Sequence, residues 1–173
     1  AWHMLVARAG VKPGDRVLIH AAASGVSTAA IQIARLHGAQ VMATAGSKAK
    51  TDLARELGAE ETVDTSAEDF VPAVRRWTGK RGVDVVLDIM GASYLERNLK
   101  SLAMEGRLVI IAAQGGLVGE VNLGLMLGRR LTIQATTLRA RPVAYKARLA
   151  RQIEADVLPG LADGSIRPVV DRV

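Results

Sequence analysis

Six short aliphatic runs, each followed by a turn and most then by a stretch with helical spacing, set the frame for this chain. They are Arg16–His20, Gln40–Thr44, Glu61–Val63, Val83–Asp88, Arg107–Ala112 and Arg130–Ala135. Most are apolar throughout rather than alternating. A strand apolar on both faces needs cover on both, which is the situation of a parallel sheet flanked by helices. Strands joined through helices cross over right-handed, and six in this rhythm predict an α/β fold: a doubly wound, six-stranded parallel sheet with its switch point beside the first strand.

The intervening segments carry helical stripes. Ile31, Ile33, Ala34 and Leu36 share one face in Val26–His37, and Leu53, Ala54 and Leu57 do so in Ala49–Leu57. Ser66 and Asp69 read as a helix start with Phe70, Val74 and Trp77 on its buried face, Gly79 and Gly82 bracket the turn into the next strand, and Tyr94–Leu102 is a further helix. A chain of 173 residues, 49% hydrophobic, suits a single domain with one core, placed at about 13–140 and followed by a helical segment over 141–173. Ala1–Ala9 reads as the middle or end of a helix and Ile166–Val173 as a strand-like run without a closing element, so a piece of a longer protein is expected.

The most informative turn follows the first strand. In HAAASGVSTAAIQIA the chain passes from strand through small residues straight into a helix. Small side chains let backbone N–H groups approach a phosphate, and the helix N-terminus adds donors and a favourable dipole. Ala22, Ser24 and Ser27 stand where a GxGxxG fingerprint has its three glycines, with Gly25 and Val26 between them. By itself such a turn also fits an ordinary βα junction with a helix cap. About twenty residues on, the second strand ends in ATAGSKAK, where an NAD-binding domain places an acid for the ribose 2′-hydroxyl. No acid is present. Gly46 allows close approach, Ser47 offers a hydroxyl and Lys50 a charge, a set suited to the 2′-phosphate of NADPH.

Other chemistry finds less support. The chain has no cysteine, which removes disulfides and thiolate metal sites within it and fits a reducing, cytoplasmic setting. No apolar stretch approaches the roughly 18 residues needed to cross a bilayer, so no membrane role is expected. The formal net charge of +6 raises nucleic acid as a partner, since no acid lies between Glu120 and Glu154 while Arg129, Arg130, Arg139, Arg141, Lys146, Arg148 and Arg151 do. Tyr145 is the one aromatic residue there to stack on a base, so a solvated basic face is expected and no nucleic acid. His20, at a strand end, lacks a carboxylate or nucleophile at a motif spacing and reads as a packed or solvent-edge histidine, as do His3 and His37. A short-chain dehydrogenase needs Tyr and Lys four apart, but Tyr94 is followed at that distance by Asn98 and Tyr145 by Leu149. A methyltransferase would want an acid where Gly46 and Ser47 stand.

The segments AWHML, VKPGDRVLIHAAASGVSTAAIQIA, TAGSKAK, ARELGAEETVD, GVDVVLDIMGASYLERNLKSLAMEGRLVIIA and PVVDRV together resemble the zinc-independent quinone oxidoreductases of the medium-chain dehydrogenase/reductase superfamily. ASGV, LIHA and GASY are most similar to the p53-inducible subgroup. The resemblance implies the Rossmann domain of an enzyme that passes hydride from NADPH to a quinone or conjugated carbonyl. It also implies that Ser24, Gly25 and Val26 line the pyrophosphate and that Gly46, Ser47 and Lys50 hold the 2′-phosphate. Met90 and Gly91 would border the adenosine side, and Ala113, Gln114, Thr137 and Leu138 the nicotinamide. Ser27 replaces the family's third glycine, which implies a helix set slightly further from the strand, and Thr65 stands where relatives often carry a tyrosine near the adenine ribose. The family's substrate pocket is built mainly by an N-terminal domain, so no catalytic and no metal-binding residue is assigned here and the chain alone is expected to be inactive. Members pair their last strands into homodimers, which makes the edge near 131–136 the expected interface. An enoyl-reductase module of a larger synthase shares the architecture and stands as the alternative, with a non-catalytic NADPH- or nucleic-acid-binding module beyond it.

Overall fold

The computed structural model describes residues 1–170. Six parallel strands, β1 (Arg16–Ile19), β2 (Gln40–Ala45), β3 (Glu61–Asp64), β4 (Val83–Asp88), β5 (Leu102–Ile110) and β6 (Thr132–Ala135), form one sheet in the order β3-β2-β1-β4-β5-β6. This is the doubly wound order anticipated from the sequence, with the reversal between β1 and β4. The helices are α1 (Gly25–Leu36), α2 (Lys48–Glu56), α3 (Phe70–Trp77), α4 (Ala92–Ser101), α5 (Leu123–Arg129) and α6 (Val143–Asp163), preceded by a wide π-helical segment at His3–Arg8. Residues 167–170 have no regular structure, and the rest of the strand-like run ending at Val173 lies outside the described residues.

Alternate residues of the central strands feed two cores, one on each face of the sheet. Val17, Ile19, Val41, Val85 and Leu87 pack with Ile31, Leu57, Leu149 and the N-terminal Leu5 on one side. Leu18, Met42, Val86 and Leu108 meet Phe70, Val74 and Leu99 on the other. This is why the strands lack polar–apolar alternation: both faces are dry.

The starts of β5 and β6 and the presence of α5 depart from the sequence expectation. β5 starts at Leu102 rather than Arg107, because α4 runs directly into it and the chain then bulges, with Glu105 at φ 60° and a register shift between Val83 and Val85 on the partner strand. Gly106 makes this possible, since a Cβ there would lie 2.8 Å from the Leu102 side chain. Arg130 is not in β6 but closes α5 in a left-handed conformation, φ 52°, and the strand follows at Thr132. Helix α5 itself has no counterpart in the sequence reading. Its LGLMLGR sequence buries no residue fully and holds two glycines, so it lacks the apolar stripe that marks the other helices.

Gly91 takes φ 72° at the head of α4, and a Cβ would meet the Gly116 carbonyl oxygen at 2.7 Å and Ala113 Cα at 2.8 Å. The loop after β5 therefore packs on bare backbone, also held by the Ala92 and Ser93 N–H groups donating to Gly116 and Gly115 carbonyls at 3.0 and 3.2 Å. Replacing Gly91 by alanine adds both strain and a backbone clash. We expect Gly91→Ala to lower stability by about 2–4 kcal/mol, read from urea unfolding monitored by circular dichroism.

Candidate functional site

The C-terminal ends of β1, β2 and β4 are set by a buried polar cluster. His20, just past β1, contacts Thr44 Oγ1 through Nδ1 at 2.8 Å and Asn98 Oδ1 through Nε2 at 2.7 Å. Asn98 Oδ1 only accepts, so Nε2 carries the proton and Nδ1 accepts from the threonine hydroxyl. The ring packs edge-on against Phe70 and Tyr94 and is fully enclosed. Burial pushes its pKa down to about 4, Asn98 partly resists and Arg97 adds to the fall, so the imidazole is neutral near pH 7. His20 is thus a packed histidine that joins two strands to α4, the same Asn98 that ruled out a Tyr–Lys pair being its partner. Asn98 Nδ2 makes no hydrogen bond of its own, but the amide is near enough to hold down Asp88. Burial drives the Asp88 carboxyl above its ordinary range, against its bonds from the N–H groups of Met90 at 2.8 Å and Gly91 at 2.9 Å.

Above this cluster the turn into α1 is made without a glycine. Ala21 adopts φ 51°, a left-handed position usually left to glycine, and Ala22 donates its N–H to Thr44 O at 2.9 Å. Ser24 caps α1, its Oγ accepting from the Ser27 N–H at 3.2 Å and donating to Ser27 Oγ at 2.9 Å. The Ser27 hydroxyl in turn donates to the His20 carbonyl at 2.8 Å. The serine in the third-glycine position therefore ties the helix to the strand end. Gly25 and Val26 head the helix, exposed, with N–H groups that donate to nothing among the described residues.

A cleft of about 310 Å³ opens there, lined by Ala21, Ser24, Gly46, Lys50, Ile89 and Gln114 among others. Four of the residues singled out from the sequence, Ser24, Gly46, Lys50 and Gln114, thus meet in one place from three separate segments. Ser47 precedes α2 without capping it through its side chain, so its hydroxyl stays available beside Gly46. Of the two nearby lysines, Lys48 is engaged by Asp52 at 2.6 Å, whereas Lys50 has no acidic partner among the described residues. Ala22, Ser27 and Gly91 are buried and shape the cleft rather than line it. Thr65 is committed elsewhere, its Oγ1 donating to the Ala45 carbonyl at 3.2 Å. Met90 is half-buried and its carbonyl accepts from Gly115 at 2.7 Å. Ala113 and Thr137 line a second, mostly aliphatic cleft of about 720 Å³ between the ends of β5 and β6, and Leu138 stands exposed next to it. Ile89 went unnoticed in the sequence because nothing local marks the residue after β4 as facing the crevice.

The donors and the shape suit a phosphate-bearing cofactor: two free amides at a helix N-terminus, an uncapped hydroxyl, a free ammonium, and a Gly46 position where a Cβ would meet nothing within 4 Å. A depression of about 420 Å³ at the opposite end of the strands, beside Gly82 before β4, collects Arg75, Arg76, Lys100 and Arg129. These sit in the last turns of α3, α4 and α5, where they complement the helix dipoles, and Arg129 donates to the Lys100 and Leu102 carbonyls at 3.1 and 2.7 Å. The basic run from Arg129 onward is accordingly divided between different surfaces. No helix among the described residues is long and apolar enough to cross a membrane.

The sequence profile of the zinc-binding dehydrogenases matches residues 25–155. The chain belongs to that family. Its architecture is that of the family's nucleotide-binding domain, and it superimposes on Escherichia coli quinone oxidoreductase complexed with NADPH with a TM-score of 0.85, 29% identity, and coverage of 98% of this chain and 52% of that one. An NAD-dependent alcohol dehydrogenase gives a TM-score of 0.83 at 43% identity over 97% of this chain and 46% of its own. A phthioceranic/hydroxyphthioceranic acid synthase of Mycobacterium tuberculosis is 44% identical over 131 residues, 75% of this chain and 6% of that protein. The chain thus spans about half of the quinone oxidoreductase and alcohol dehydrogenase structures and a small part of the synthase. Its own residues do not fit zinc, as no group of three or more His, Asp or Glu side chains suited to a metal occurs among the described residues.

The His20 cluster makes stability depend on pH in a defined direction. A histidine whose folded pKa is near 4 binds its proton less well in the folded than in the unfolded chain, so its contribution is intact above about pH 6.5 and is lost as pH falls towards 4. Asp88, pushed upward, acts in the opposite sense. We expect the wild-type chain to lose about 3 kcal/mol through His20 between pH 6.5 and 4, and His20→Gln to flatten that part of the profile in urea titrations.

Proposed function

We propose that this chain is the NADPH-binding domain of a zinc-independent medium-chain oxidoreductase that reduces a quinone or another conjugated carbonyl, close to the p53-inducible subgroup. The observation that carries the cofactor choice is the pairing of an uncapped Ser47 hydroxyl with an unpaired Lys50 beside Gly46, where an NAD-selective site would place an acid. NADPH, when bound, supplies the hydride. The chain's own residues bind and orient: the Gly25 and Val26 amides and the α1 dipole take the pyrophosphate, and Ser47 and Lys50 take the 2′-phosphate. Ala113, Gln114, Thr137 and Leu138 border the nicotinamide, where the aliphatic walls of the second cleft keep water from the reacting face. No residue of this chain is assigned a catalytic role, and the isolated chain is expected to reduce no quinone.

The synthase relative supports a second reading, an enoyl-reductase module reducing the conjugated double bond of an acyl thioester, because identity to it is higher than to the quinone oxidoreductase. Both readings use the same cofactor cleft. β6 is an edge strand of the sheet, and its unpaired edge favours a homodimer formed by edge pairing. Sedimentation equilibrium is expected to give a dimer.

Charge-assisted contacts of about 1.5–3 kcal/mol set the size of the cofactor preference. In fluorescence titrations NADPH should bind tenfold or more tighter than NADH, and Lys50→Ala should weaken NADPH by about tenfold while leaving NADH unchanged. Equal affinity for the two cofactors, or equal loss for both in Lys50→Ala, overturns the assignment.

A further inference from the structure

The second cleft is aliphatic or threonine-lined except for one charged residue, Arg141, at its rim. The Arg141 guanidinium lies 5.1 Å from the centre of the Tyr145 ring, and that of Arg148 lies 5.3 Å from it. Tyr145 is itself fixed, its hydroxyl 2.7 Å from His3 Nε2. Stacking on a ring orients a guanidinium without neutralising it. No carboxylate among the described residues pairs with either arginine, and the sequence offers none between Glu120 and Glu154. The local field is positive enough that Arg141 and Arg8 reinforce the effect of burial in lowering the His3 pKa.

An apolar cleft of this size with a single oriented cation suits a ligand that is apolar along its length and anionic at one end, because a buried or half-buried charge without a counter-charge is costly. We propose that Arg141 is a specificity-determining residue that selects, among conjugated carbonyl compounds, those bearing a carboxylate or phosphate remote from the reduced carbon. The proposal rests on the reading above that this cleft borders the nicotinamide. It favours acyl-type substrates over uncharged quinones and gives a role to part of the basic run that a cofactor site alone leaves idle.

The test is calorimetric binding to the full chain saturated with NADP⁺, so that the cofactor cleft is closed to competing nucleotides. Three probes are compared: 4-(4-carboxyphenyl)but-3-en-2-one, whose carboxylate is remote from the conjugated ketone, its uncharged methyl ester, and crotonyl-coenzyme A as a phosphate-bearing thioester. At least one anionic probe should bind about tenfold tighter than the ester, and which one does so distinguishes a carboxylate from a phosphate. Arg141→Gln should abolish that difference without changing NADPH affinity, and Arg141→Lys should restore part of it. Equal binding of charged and uncharged probes, no anionic binding up to about 1 mM, or an unaffected Arg141→Gln variant overturns the assignment. A chain that binds no NADPH overturns the cofactor reading beneath it, which the NADPH titration reports separately.

Discussion

The buried contact of His20 with Thr44 and Asn98 is the constraint around which the cofactor end of the molecule is organised. Three segments far apart in sequence, the end of β1, the end of β2 and the middle of α4, are fixed by one imidazole with no access to water. In that low-dielectric setting each hydrogen bond is strong and each missing partner costly, so the arrangement tolerates little displacement. The His20 carbonyl extends the set by accepting from Ser27, which seats the first turn of α1 and thereby aims its free amides into the crevice.

A second set of constraints fixes the other wall. Asp88 collects the Met90 and Gly91 N–H groups, Gly91 admits the loop after β5 onto bare backbone, and Gln114 is carried to the cofactor cleft on that loop. The floor and wall of the cleft are therefore held by hydrogen bonds, while Ser47, Lys50 and Arg141, the side chains proposed to meet ligand, are half-buried or exposed and free of acidic partners among the described residues. Structure spends its hydrogen bonds below the surface and leaves the ligand-facing donors open. Farther away, Asp156 of α6 receives Trp2 Nε1 and His37 Nε2, and Arg107 joins Asp15 at 2.7 Å while capping the Ala9 and Gly10 carbonyls. These long-range ties hold the N-terminal segment and α6 to the sheet.

Much of this was legible in local patterns. Apolar runs without alternation announced a covered parallel sheet, and the small residues before α1 announced a helix start open to an anion. GSKAK announced a positive, acid-free end to β2. The patterns failed where the chain broke its own rules: α5 has no buried stripe, β5 begins in a bulge permitted by Gly106, and Arg130 takes a left-handed cap that a β-strand reading would not assign. The tether made by the serine at a fingerprint-glycine position was not legible, because its hydrogen-bond acceptor is a strand-end carbonyl whose direction no local pattern gives.

The sequence by itself determined the fold class, the order of the six strands and the small-residue, acid-free character of the turns after β1 and β2, since each depends on periodicity or on residues within one turn of each other. Only the tertiary structure decided that His20 is a neutral structural hub, that Ile89 and Gln114 line one cleft with Ser24, Gly46 and Lys50, and that Arg141 is the one charged residue lining the apolar cleft. Those facts depend on contacts between residues tens to more than a hundred positions apart. Such contacts are set by how helices pack across the sheet, and the packing leaves no periodic trace in the chain.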